Sequence, residues 1–132
     1  MIIKAYSDNN LCDLLFEMES DSVSPVSSYL IENNLKSTPE HYFDNSMLGY
    51  NTRINIKTTQ NDIEVFKNNA RLDEEIVEAM LEIEEKGKTL ITKELLESAN
   101  DISISFFSNI YDNIKDEYKD EFEDVEILEL IF

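Results

Sequence analysis

An α+β domain, mainly helical with a small antiparallel sheet, is the fold class this sequence predicts, and three observations carry the expectation. The two ends, MIIKAY (1–6) and VEILELIF (125–132), are short, apolar and β-rich, which suits an N-terminal strand paired with a C-terminal one. Between them, apolar residues recur at helical spacing in several stretches. Finally, seven Phe, six Tyr and a 42% hydrophobic composition give a 132-residue chain enough material for a real core, where disordered acidic chains are poor in these residues. The length predicts one domain, or two small lobes, a weakly acidic 1–60 and a strongly acidic 61–132.

Taken in order, the first strand is followed by the turn-prone cluster SDNN. Next, LCDLLFEME (11–19) has apolar side chains at 11, 14, 15 and 18, a spacing that predicts a helix with Cys12 as a small core residue. Ser24 before Pro25 marks a helix start, a hydroxyl cap followed by a ring pre-set for the first turn. Val26, Tyr29 and Leu30 supply its buried stripe, and Asn33 and Asn34 end it. STPEHYFDNSMLGYN (37–51) reads as an irregular connection pinned by Tyr42, Phe43, Met47 and Leu48. TRINIK (52–57) alternates Ile54 and Ile56 with polar residues and is expected to form the central hairpin with IEVF (63–66). The competing reading has Thr59 capping a helix that begins near Gln60.

DEEIVEAMLEIEEK (73–86) is the clearest helix: Ile76, Val77, Met80, Leu81 and Glu84 follow the helical period, the first turn is acidic, and Gly87 is placed as C-cap. Thr92 then caps a short helix, KELLESA (93–99). Ile102, Phe106, Ile110, Ile114, Tyr118 and Phe122 recur every fourth residue, which predicts a long amphipathic helix over 101–119.

Charge is where the sequence departs most from the ordinary. Against 29 acids stand 11 bases, a net charge of −18, well beyond the magnitude of about 2 to 8 that keeps a small domain soluble. Residues 1–60 hold 8 acids and 4 bases, and 61–132 hold 21 and 7, so the excess lies in the second half. One cysteine excludes an internal disulfide framework. No long apolar run or signal-peptide core is present near the start, so a cytoplasmic location, without membrane attachment, is expected.

Catalytic and metal chemistry find little support. Two glycines leave no phosphate loop, the acid-rich DEYKDEFEDVE (116–126) lacks the glycine of a Ca²⁺ loop, and zinc would have only His41 and Cys12 as characteristic ligands. Neither residue belongs to a nucleophile motif. The expectation is a chain that is not an enzyme and carries no cofactor and no metal.

ITKELLESANDISISFFSNIY (91–111) loosely resembles the helix-turn-helix of bacterial transcription factors. Leu95, Leu96 and Ala99 take the first helix's core face, Asn100 the turn, with Asp101 inserted, and Ile102, Phe107 and Ile110 the second helix. That second helix has no Lys or Arg between 94 and 114, whereas DNA binding rests on phosphate neutralisation, so direct nucleic-acid binding is not expected.

The acidic side chains themselves form two sets at helical pitch: Glu74, Glu75, Glu78, Glu82 and Glu85, then Asp112, Asp116, Glu117, Asp120, Glu121 and Asp124. Like charges three or four residues apart on a helix repel by about 0.2–0.5 kcal/mol per pair, yet both segments accept that repulsion. Fixed on rigid helices, such carboxylates approximate the regular negative line of a nucleic-acid backbone. In size, composition and charge placement the chain resembles acidic nucleic-acid-mimic inhibitors of phages and mobile elements, of anti-CRISPR or anti-restriction type. The resemblance implies a non-catalytic inhibitor acting in the bacterial host's cytoplasm. Its eleven carboxylates would occupy the basic groove of a nucleic-acid-binding protein or nuclease complex, and exposed aromatics leave room for a homodimer. An immunity protein against a basic nuclease toxin, or a helix-turn-helix-like transcriptional adaptor, are the alternatives.

Overall fold

In the computed structural model, which describes residues 1–20, 23–37 and 58–132, a four-stranded antiparallel sheet carries helices on one face. The strands are β1 (Ile2–Tyr6), β2 (Leu14–Glu19), β3 (Lys88–Thr92) and β4 (Ile127–Ile131), in the order β2-β1-β4-β3. The described helices are α1 (Pro25–Glu32), α2 (Gln60–Asn69), α3 (Glu74–Lys86), α4 (Lys93–Asp101), α5 (Ser105–Glu117) and the single turn α6 (Lys119–Phe122). The α+β class therefore holds, and the chain ends pair as their composition predicts, Ile2 opposite Ile131 and Tyr6 opposite Ile127. Period-2 alternation sends Ile3, Ala5, Leu128 and Leu130 inward, where all four are fully buried against helical residues such as Phe107, Ile110 and Met80.

Four segments differ from the sequence expectation. LCDLLFEME is not a helix: its second part is β2, with Phe16 and Met18 inward and Glu17 and Glu19 outward. Local turn chemistry decides this. The Asp8 carboxylate accepts hydrogen bonds from the backbone N–H groups of Cys12 and Asp13, both 3.0 Å, and closes a β1–β2 hairpin. The same turn holds Cys12 at the surface, so it is no core residue.

IEVF is helical and lies in α2, because the capping box at Thr59 outweighs its β-branched composition. The Asp62 N–H donates to Thr59 Oγ1 (3.2 Å) and the Thr59 N–H donates to Asp62 Oδ2 (2.8 Å). Phe66 is then fully buried, edge-on to Tyr29 with centroids 5.4 Å apart. The rest of the expected hairpin, TRINIK, lies outside the described residues, as do His41 and the aromatic pins Tyr42 and Phe43 with Met47 and Leu48.

α3 ends as predicted: Gly87 takes the left-handed conformation (φ 74°) and its N–H bonds the Ile83 carbonyl at 2.9 Å. The chain then enters β3, a strand that the sequence reading passed over, with Thr89 and Ile91 buried. The helix expected over 101–119 begins four residues late. Ser103 adopts φ 61° in a three-residue connection, Ile104 replaces Ile102 as the buried residue, and Ile102 faces solvent. Its far end is at Tyr118, whose φ −134° and ψ 43° turn the chain out of the helix.

Candidate acidic interface

On α3, Ile76, Ala79, Met80 and Ile83 form the buried stripe. Glu74, Glu75, Glu78 and Glu85 lie on the exposed side, and Glu82 at its margin is half-buried. On α5 the buried stripe is Phe106, Phe107, Ile110 and Ile114, and Asp112, Asp116 and Glu117 are exposed. Helix α1 packs against both α3 and α5, so the two acidic sets are carried by separate helices joined through a third.

Beyond Tyr118 the acidic run is neither a tail nor a continuation of α5. Asp120 and Glu121 sit on α6, Asp124 follows in a turn, and all three are exposed. Phe122 and Val125 are buried at 3% and 5% exposure and fix this segment from beneath. The Glu126 N–H then bonds the Tyr6 carbonyl at 2.8 Å and leads into β4. Carboxylates between 116 and 126 are thus held on an ordered surface by apolar anchors.

Two cations of this region, Lys93 and Lys115, lie over aromatic rings. Lys93 Nζ lies 4.9 Å from the centre of the Phe122 ring and donates to the Glu123 carbonyl at 3.1 Å. Lys115 Nζ lies 5.3 Å from the same ring centre and 5.8 Å from that of Tyr111. Among the described residues the one ion pair is Lys36–Asp62, at 2.8 Å, so none of the eleven carboxylates is neutralised by such a pair.

Glu84, counted in the sequence with the apolar period of α3, has a different task. Its Oε1 accepts from the Ser24 hydroxyl and from the Val26 N–H (3.4 Å), at the start of α1. Ser24 also accepts from the Ser27 N–H at 3.1 Å as N-cap, and its hydroxyl is 2.5 Å from that of Thr58. Lys36 Nζ donates to Ser27 Oγ (3.1 Å) and to Asp62 Oδ2 (2.8 Å), which ties α1 to the start of α2. At Asp62, burial pushes the carboxyl up, but the hydrogen bonds from Lys36 and Thr59 outweigh it and leave its pKa below the usual 3.8. A carboxylate aimed at a remote helix start has no sequence signature, which is why the role of Glu84 went unseen.

A cleft of about 450 Å³ runs between α1 and α5, bordered by Ser20, Glu32, Ser105, Asn109, Asp112 and Asn113. Asn113 Nδ2 donates to Ser20 Oγ at 2.9 Å. Among the described residues, neither of its carboxylates is hydrogen-bonded to a serine of the cleft, and no group of three or more His, Cys, Asp or Glu is arranged to hold a metal ion. No described helix is long and apolar enough to cross a membrane.

The helix pair resembling a helix-turn-helix exists as α4 and α5, with Leu96, Ala99, Phe107 and Ile110 buried. Its connection is Ile102–Ile104, however. Asn100 is still helical and Ile102 anchors nothing, since it is 54% exposed. The outward face of α5 presents Asn109, Asp112 and Asp116, side chains that do not neutralise phosphates.

Comparison with protein-family models, with curated proteins and with solved structures finds no match for the chain.

Proposed function

We propose that this chain is a non-catalytic acidic inhibitor that occupies the basic nucleic-acid groove of a bacterial defence nuclease. A CRISPR effector is preferred over a restriction enzyme as the target. The observation that carries the reading is the combination at Phe122. The acid-rich segment is anchored on a buried aromatic ring, and two neighbouring lysines, Lys93 and Lys115, lie over that ring. Negative charge is left ordered and, among the described residues, outside any ion pair, the property a basic groove selects. A solvated surface maintained for solubility alone has no need of such anchoring.

In this mechanism the protein acts by stoichiometric occupation. Long-range attraction steers the acidic face to the cationic groove, and the bound state excludes DNA or RNA from the same charges. Affinity capture from a bacterial lysate, with and without added duplex DNA or RNA, tests it. A nucleic-acid-processing complex retained by the protein and released by nucleic acid supports the proposal. A partner that stays bound at saturating nucleic acid points instead to an immunity-type inhibitor acting outside the groove.

A further inference from the structure

The sheet face opposite the helices has a charge order that reads as its own complement when reversed, and from it we infer that two copies of this chain pair through this face. Cross-strand register lays the outward residues in rows across the order β2-β1-β4-β3. One row is Glu19, Ile2, Ile131, Lys88, and the next is Glu17, Lys4, Glu129, Leu90. A two-fold axis lying between the sheets and parallel to the strands places β2 of one copy over β3 of the other, and β1 over β4. Glu19 then faces Lys88 of the second copy, Lys4 faces Glu129, and Ile2 faces Ile131, each contact occurring twice as an isologous interface demands. In the third row Tyr6, 9% exposed in its own chain with its hydroxyl 3.5 Å from Glu129 Oε1, lies opposite Ile127. Glu17 against Leu90 and, in the third row, Leu14 against Thr92 lack a match, and the usual angle of about 30° between packed sheets leaves the long Glu and Lys side chains within each other's reach.

Two further observations favour a second copy over any other occupant. Leu14 and Leu90 are 48% and 50% exposed on this face, and Glu17, Glu19 and Lys88 are exposed beside them. Moreover, a chain of net charge −18 repels its own copy almost everywhere. The outer sheet face is the exception, because its Lys4 and Lys88 nearly balance Glu17, Glu19 and Glu129. Pairing here also leaves the helical layers, and with them the acidic sets, on the two outer sides of the assembly.

The test is the mass of the full chain in solution, measured by light scattering or sedimentation between micromolar and hundred-micromolar concentration. The expected result is a particle of twice the 15.4 kDa chain mass, and a monomer over the whole range overturns the inference. Glu19→Lys and Lys88→Glu each place like charges opposite one another and should weaken self-association by roughly tenfold or more. Both side chains are exposed on edge strands, and circular dichroism verifies that the fold is kept. Mixed together, the two variants restore both facing pairs, so a heterodimer should form more tightly than either variant pairs with itself. Undiminished self-association of each variant, or a mixture that stays monomeric, overturns the face-to-face arrangement.

Discussion

Tyr118, the residue at which α5 ends, lies flat on Phe16 of β2, with ring centroids 4.2 Å apart and planes within 4° of parallel. This contact joins the acid-rich segment to the sheet across nearly the whole chain length. Four residues on, Phe122 is buried beside Tyr111, edge-on at 5.6 Å. Together they make the order of 116–126 a matter of core packing, separate from local helix propensity.

Removing the deeper anchor should therefore cost stability and order at once. Phe122→Ala is expected to destabilise the fold by about 3–5 kcal/mol in urea unfolding, the usual range for a buried phenylalanine. Amide exchange over 118–126 should accelerate more than over α3, because Lys93 and Lys115 lose the ring they share.

Glu84 joins α3 to the start of α1, so its loss should register as a capping defect far from its own helix. Glu84→Ala is expected to cost about 1–3 kcal/mol, since it strips an acceptor from part-buried donors. Ser24→Ala should cost about 1 kcal/mol. The double variant should cost less than the sum, because both act in one network, and denaturant titration of the three variants measures that coupling.

Asp62 sets the acid dependence. Its folded pKa lies below the unfolded value of 3.8, so its contribution is fully present above that value and is lost as pH falls through the lower folded pKa. The stability difference between wild type and Asp62→Asn should be constant near neutrality and shrink below about pH 3.8. Comparing the two proteins cancels the opposing gain from neutralising the general negative charge, and thermal melts along a pH series follow the difference.

The parts of the fold that were legible in the sequence are those governed by local chemistry. Ser24–Pro25, Thr92 and Gly87 bound their helices where capping rules put them, and the apolar chain ends pair as strands. The misreadings arose where a short segment satisfies two periodicities. Apolar side chains at 11, 14, 15 and 18 fit a helix, yet Leu14 and Leu15 sit at a bulge in β2, where Tyr6 pairs with Leu14. KTLIT offers only two inward positions, too few for its alternation to stand out. At the candidate interface, the exposure of the carboxylates followed directly from helical phase. The lysines folded over Phe122 and the reach of Glu84 to α1 are tertiary facts, written in no spacing.

The central claim, that the ordered carboxylates are a binding surface for a cationic groove, is tested most directly by reversing Glu117, Asp120, Glu121 and Asp124 to lysine together. All four are exposed, and the change moves the net charge from −18 to −10, two units at each of four sites, with the core untouched. Capture of the partner should be measured for wild type and variant across a salt titration. The account predicts wild-type capture that fades as salt rises and a folded variant that captures nothing at any salt. Equal capture by both proteins, at low and high salt alike, would contradict it.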